Sequence, residues 1–122
     1  MAIMTRMTSA AIEKRIEEIK RELQVIGPMR PGSLSKQYTV CGKPGCRCVD
    51  PKEPRKHGPY YQLSFVHQGK STTQFIRPPF IPEVKVQLAN YKRFRDLVDE
   101  WVHLALQHSR LRLEELKRAG AE

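Results

Sequence analysis

Three cysteines fall within eight residues of this chain, in the run Cys41-Gly-Lys-Pro-Gly-Cys46-Arg-Cys48. In a reducing cytosol disulfides are disfavoured, so clustered thiols bind metal or do redox chemistry. Zinc takes four thiolate or imidazole ligands in tetrahedral geometry, and the Gly-Lys-Pro-Gly turn lets the chain fold back around such an ion. The cluster therefore predicts a zinc site held by the three thiols.

The fourth ligand must come from elsewhere in the chain. We favour His57, nine residues after Cys48, because it would pin an otherwise unsupported loop to the neighbouring strand. His67, Asp50, a water molecule or a group from a second chain remain alternatives. An iron–sulfur cluster would use the same cysteines.

Two other chemistries fit the same thiols. Cys46 and Cys48 could form a redox-sensing pair whose thiolates are stabilised by Lys43 and Arg47. The three cysteines could also be unligated thiols in a basic loop.

The basic residues are concentrated around this cluster. The chain has 22 Lys and Arg against 13 Asp and Glu, a net charge of +9, and residues 30–79 hold nine of the basic residues and two of the acidic ones. Such a segment is typical of a nucleic-acid-binding surface. The candidate phosphate contacts are Lys43, Arg47, Lys52, Arg55, Lys56 and Lys70.

Aromatic and polar residues alternate in the same segment. A basic hairpin can enter the major groove or stack single-stranded bases, and Gln62, Ser64, Thr72 and Gln74 are outward-facing candidates to reach base edges. For the apolar face we favour a plainer role, a core under the C-terminal helix. That core would comprise Tyr61, Leu63, Phe65 and Phe75.

The elements around the cluster indicate an α+β fold. Apolar residues at helical spacing predict a helix from Thr8 to Ile26, residues 60–66 and 71–76 predict a β-hairpin, and residues 34–40 could add a third strand. A long helix follows from Glu83. We divide this single domain into an N-terminal helix (1–28), a basic cysteine-rich loop and hairpin (29–80) and a C-terminal helix (81–122).

The C-terminal helix is too long for a compact domain of this size. Unbroken from Glu83 to Arg118, it would extend about 54 Å. It must therefore break near residues 103–109 or pack against another chain. We favour a homodimer through this helix, and the alternative is a kinked helix folded back in a monomer.

Several protein classes are excluded by composition. With 39% hydrophobic and 29% charged residues the chain can bury a core, and it has neither an apolar run long enough for a membrane span nor a secretory signal. We expect a cytoplasmic protein. Only Asp50 and Glu53 supply carboxylates near the cysteines, and no phosphate-binding glycine loop is present, so we expect no enzyme activity.

Four blocks carry a resemblance to known proteins: residues 30–35 with Tyr38, the cysteine run from Cys41, His-Gly-Pro-Tyr-Tyr-Gln-Leu-Ser from His57, and Gly-Lys-Ser-Thr-Thr from Gly69. Over residues 30–102 the chain resembles an uncharacterised family of small prokaryotic proteins, some labelled transposase-like or found near mobile elements. That family has no established activity. The hairpin followed by a helix is also similar to the arm-type DNA-binding modules of phage integrases, which implies DNA binding.

Together these features predict a small zinc-stabilised nucleic-acid-binding protein that acts on DNA, as an accessory to a mobile element. The first alternative is a protein interaction or assembly module in which the helices are the working surface and the zinc loop is structural. The second is a thiol redox sensor.

Overall fold

The computed structural model describes residues 7–120, which form two helices and a three-stranded antiparallel sheet. This confirms the α+β class and the third strand. The elements in chain order are α1 (Ser9–Gln24), β1 (Ser33–Thr39), a 3-10 turn (Arg47–Val49), β2 (His57–His67), β3 (Lys70–Ile76), a second 3-10 turn (Pro78–Phe80) and α2 (Ile81–Arg118).

The described residues divide into two compact units. The helical unit contains residues 7–27 and 92–120, and the sheet unit contains Pro28–Tyr91. The boundary falls inside α2, so that helix contributes its first turns to the sheet unit and the remainder to the helical unit.

The helical unit is built on the apolar face predicted for α1. Thr8 caps this helix, since its hydroxyl accepts a hydrogen bond from the backbone N–H of Ala11 at 3.2 Å. Ile12 and Ile19, two helical turns apart, are fully buried in one cluster with Leu97 and Leu104 of α2. The spacing of seven residues in both helices keeps these pairs on facing stripes.

Arg15 forms an ion pair that also joins α1 to α2. Its Nε and Nη2 donate to the two carboxylate oxygens of Glu100 at 2.6 and 2.8 Å, and its Nη1 donates to Glu22 at 3.1 Å. The hydrogen bond from Arg15 holds the pKa of Glu100 below its usual range. This pair therefore stabilises the fold above the unfolded-state pKa of about 4.3, and the contribution is lost as the pH falls through the lowered folded-state pKa.

The break in α2 near residues 103–109, which was the alternative to packing against another chain, does not occur. The helix runs without interruption for 38 residues from Ile81 to Arg118, about 57 Å. Its interior after Pro82 holds neither proline nor glycine, and the buried residues Leu97 and Leu104 lie before and within residues 103–109. Within residues 7–120, no helix has both the length and the apolar character that crossing a membrane requires.

The sheet unit has β2 at its centre. Leu34 of β1 and Gln74 of β3 both lie opposite Leu63, whose side chain is fully buried. Ile81 and Val84, in the first turn of α2, are the other buried aliphatic residues of this unit. The chain entering β1 is fixed to α2 by hydrogen bonds, from the Arg30 amide to the Gln87 carbonyl and from the Asn90 side chain to the Pro28 carbonyl.

The hairpin register overturns one sequence expectation. A two-residue turn, Gln68-Gly69, pairs His67 with Lys70, so Phe75 lies opposite Gln62. Side chains of directly paired residues share a face of the sheet, and Phe75 is therefore on the face opposite to Leu63. Its side chain is 70% exposed, so it does not belong to the core with Tyr61 and Phe65.

The same register also corrects the predicted face of two polar residues, Thr72 and Gln74. Thr72 and Gln74 lie opposite Phe65 and Leu63, on the side that carries the buried residue. They are therefore not on the outward face that carries Gln62 and Ser64.

Candidate metal centre

Four side chains of the sheet unit converge on one point. The ligand atoms of Cys41, Cys46, Cys48 and His57 all lie within 4.8 Å of one another. The closest pairs are the sulfurs of Cys41 and Cys48, 3.4 Å apart, and the Cys46 sulfur with His57 Nε2, 3.2 Å apart. Tetrahedral ligation with metal–sulfur bonds of about 2.3 Å places sulfurs about 3.8 Å apart, so these four residues lie close enough to hold a metal ion.

Local backbone structure brings the cysteines together. Cys41 follows the end of β1, and the next residues turn back through Gly45, whose φ of +77° suits glycine. The Cys46 amide then donates to the Lys43 carbonyl at 3.3 Å, which closes the turn. Cys48 lies in the 3-10 turn that follows, and its sulfur accepts a hydrogen bond from the Cys41 amide at 3.2 Å.

His57 reaches the cluster from the first position of β2. It pairs with Thr39, and the register shifts between this pair and the pair Gln37–Tyr60. β2 thus contains one more residue than β1 across the shift, as in a β-bulge. Gly58 lies in the bulge with a φ of +132°, and its backbone packs directly against β1.

The thiols differ in electrostatic environment. The backbone N–H of Cys48 is the main cause that lowers the pKa of Cys46 to about 6, with further hydrogen bonds from the thiols of Cys41 and Cys48 and from His57. Burial raises the pKa of Cys48, which is 3% exposed. The lowered pKa favours the thiolate form of Cys46, the form in which cysteine binds metals.

His67 and Asp50, the other two protein residues considered as fourth ligand, do not belong to this cluster of ligand atoms. His67 lies ten residues further along β2, about 33 Å away at about 3.3 Å per residue. Asp50 accepts a hydrogen bond from the Lys52 amide at 2.9 Å, which shapes the loop after the 3-10 turn. All three cysteines are free of disulfides.

Five of the six residues predicted to contact phosphate lie between Cys41 and His57 in the sequence, and all six are exposed. The Arg55 amide donates to the Arg47 carbonyl at 2.8 Å, which holds the loop carrying Lys52 and Lys56 against the 3-10 turn. Lys70 is not part of this group, because it lies in the pair that closes the hairpin, at the far end of β2. We define the basic loop as Lys43, Arg47, Lys52, Arg55 and Lys56.

The sequence reasoning did not single out two exposed aromatic residues as site candidates. Tyr60 and Phe75 are 44% and 70% exposed on the same face of the sheet. The sequence feature that could have predicted their exposure is the two-residue turn at Gln68-Gly69. The length of the turn fixes the strand register and hence the face on which each residue lies. Arg30, by contrast, lies over the Phe65 ring at 4.8 Å and is engaged there.

Comparison with known families gives one result. Residues 9–86 match the model of DUF6788, a domain of unknown function. The chain belongs to this family. No curated protein and no solved structure matches the chain at a significant level, and nothing links it to transposase-like proteins or to integrase arm modules.

The close approach at Gly58 gives a test of how the site is positioned. In Gly58→Ala the added Cβ would lie 2.7 Å from the Gln37 carbonyl oxygen, at a φ that side chains rarely adopt. We expect a loss of about 2 kcal/mol in the free energy of unfolding, measured by urea denaturation.

The control for this change is Gly42→Ala, where the Cβ meets nothing within 4 Å. It should change the free energy of unfolding by less than about 0.5 kcal/mol. Equal stability of the two variants would show that the bulge does not constrain β1 and β2.

Proposed function

We propose that this chain is a small zinc-stabilised protein that binds DNA through the basic loop. The observation that carries this proposal is the hydrogen bond from the Arg55 amide to the Arg47 carbonyl, beside the converging ligands. It joins the phosphate-binding candidates to the metal centre, so a bound ion would fix the surface they form.

The donor set favours zinc in a structural role. Three thiolates and one imidazole form a closed four-ligand zinc site, whereas iron–sulfur clusters take cysteine at nearly all positions. A catalytic zinc keeps one position open for water or substrate. Four protein ligands leave none, which supports a function other than catalysis.

The charge distribution supports a polyanionic partner. Residues 30–79 carry nine basic and two acidic residues. None of the five side chains in the basic loop makes an ion pair with another described residue. They are thus free to contact phosphates.

The setting of this function is also part of the proposal. A reducing cytoplasm keeps the thiols available for metal. We extend the proposal to an accessory role in transposition or recombination, processes in which a small DNA-binding protein can take part.

The metal centre predicts a defined metal content. Protein purified without added metal should contain one zinc per chain by mass spectrometry, and Cys46→Ser or His57→Ala should lower this content sharply because each removes a ligand. His67→Ala is the matched control, since this histidine lies at the other end of β2, and it should retain the zinc. Metal-free wild-type protein with a stable fold would contradict the site and favour thiol redox chemistry.

The basic loop predicts a change in the salt dependence of DNA binding. Replacing Lys52, Arg55 and Lys56 together by alanine should make the slope of log K against log salt shallower by up to about 2.7, at about 0.9 per lost phosphate contact. Fluorescence anisotropy at several salt concentrations measures this slope.

The control removes the same charge elsewhere. Lys85, Arg95 and Arg110 are exposed on α2, and their triple alanine variant should leave the slope nearly unchanged. If the two variants behave alike, the basic loop is not the binding surface. If the wild-type protein binds neither single-stranded nor duplex DNA, the proposed function is wrong.

A second candidate function, self-assembly, is favoured by an apolar stripe on α2. Val102, Leu106, Leu113 and Leu116 are all exposed, and their spacings of four, seven and three residues place them on one side of the helix. The stripe is distinct from the one that buries Leu97 and Leu104. We propose that a second copy of the chain covers it, in a two-fold symmetric homodimer.

Charge does not oppose this association. Residues 1–27 carry five basic and four acidic residues, and residues 92–122 carry seven and six. The sequence segments that form the helical unit are therefore nearly neutral, unlike the sheet unit.

The stripe predicts a mass change on substitution. Wild-type protein at micromolar concentration should sediment with twice the chain mass, and the double variant Leu106→Gln/Leu113→Gln should sediment as a monomer with unchanged helix content, because both side chains are exposed. Val86→Gln replaces an exposed apolar residue of α2 outside the stripe and should remain dimeric. A monomeric wild-type protein would exclude the homodimer.

A further inference from the structure

The register of the sheet defines a second surface of the sheet unit, separate from the basic loop. Paired residues of the three strands share this side, which we call the open sheet face. It includes Gln37, Tyr60, Gln62, Ser64, Thr73 and Phe75.

Two aromatic rings stand out on this face. Phe75 lies directly opposite Gln62, and Tyr60 precedes Gln62 by two residues on β2. Tyr60 and Phe75 are therefore diagonal neighbours on adjacent strands, with Cα atoms about 7 Å apart. Both side chains are exposed, so two rings are presented side by side to solvent.

The remaining side chains of the face are mostly short hydroxyls and amides. Ser64 and Thr73 are hydrogen-bonded across the strands at 3.3 Å, and the Gln37 amide donates to the Ser35 hydroxyl at 3.2 Å. Hydroxyl and amide groups both donate and accept hydrogen bonds, as contacts to the edges of bases require. Such a face can recognise polar planar groups lying flat on the rings.

The charges around this face favour a polyanion such as a nucleic acid as its occupant. The three strands contain no carboxylate, and the only acidic residues of segment 30–79 are Asp50 and Glu53 in the loop before β2. Arg77 follows Phe75 by two residues in extended backbone, so a cation lies on the side of the two rings. Lys36 pairs with Tyr61 and therefore lies on the other face. A phosphate backbone crossing the sheet would meet positive charge and no opposing negative charge.

The exposed rings favour a single strand over a duplex. In a duplex the faces of the bases are stacked on each other, whereas an unpaired strand can lay its bases on aromatic side chains. Phe75 has no hydrogen-bonding group, so its ring can contribute to recognition only by stacking or apolar contact.

We propose that the open sheet face binds single-stranded DNA by stacking neighbouring bases on Tyr60 and Phe75. This inference rests on the proposed function and adds to it the form of the nucleic acid and the residues that contact its bases. The basic loop supplies the phosphate contacts, and the open sheet face supplies the preference for unpaired bases.

The test compares a single-stranded oligothymidine with a hairpin duplex, using full-length protein and fluorescence anisotropy. Phe75→Leu and Tyr60→Leu should each weaken binding to the single strand about tenfold, because each removes a stacking surface. The salt slope should stay at the wild-type value, since no phosphate contact is lost. Phe75→Trp should retain wild-type affinity, because the indole restores the stacking surface that leucine lacks.

The matched control is Phe80→Leu. Phe80 is exposed in the 3-10 turn that precedes α2, outside the strands, so its loss should leave single-strand binding unchanged. Thermal unfolding of each variant checks that the fold is intact.

Three outcomes would overturn the inference while leaving the proposed function standing. They are wild-type binding to the duplex alone, unchanged single-strand affinity in Phe75→Leu and Tyr60→Leu, and an equal loss of affinity for both forms of DNA. Absence of binding to either form, by contrast, removes the proposed function itself.

Discussion

The sheet unit depends on the convergence of four ligand atoms, because its hydrophobic core is small. Within Pro28–Tyr91 the buried hydrophobic residues are Cys48, Leu63, Ile81 and Val84. Residues 40–56 contain a single 3-10 turn of regular structure between β1 and β2. Small domains that bury little apolar area are often stabilised by metals or disulfides, and these cysteines are free of disulfides. A bound ion would therefore supply the stability that the core cannot.

Much of this site could be predicted from residue types and spacing. Three thiols within eight residues, a turn that can fold back and a histidine at the mouth of a hairpin led to Cys41, Cys46, Cys48 and His57, and their ligand atoms do converge. The identity of the fourth ligand depended on strand pairing, since His57 comes near Cys46 only because β2 pairs with β1 through a bulge. Spacing along the chain cannot show such a register shift.

The predicted faces of Phe75, Thr72 and Gln74 were wrong for one reason. Side chains alternate between faces with a period of two, so the relative faces of two strands depend on the number of residues in the turn. With Gln68-Gly69 as the turn, Phe75 joins Gln62, and Thr72 and Gln74 join the face of Leu63. Apolar character alone favoured a buried Phe75, but the register places it in solvent.

The long helix shows the opposite case, in which the periodic pattern was sufficient to predict the whole element. The apolar pattern of α2 continues through residues 103–109, and so does the helix. A break was one of two alternatives, the other being packing against a second chain, because a helix of that length is too long for one compact domain of this size. Two units with α2 running through both remove that limit.

This division also separates two kinds of surface chemistry. The helical unit combines nearly neutral sequence with an exposed apolar stripe, whereas the sheet unit combines high positive charge with an aromatic and polar face. Apolar association is favoured where like charges are few, and phosphate binding is favoured where they are many. A dimer formed through the stripe would therefore join two chains where few like charges oppose association, and each chain would keep its own basic loop.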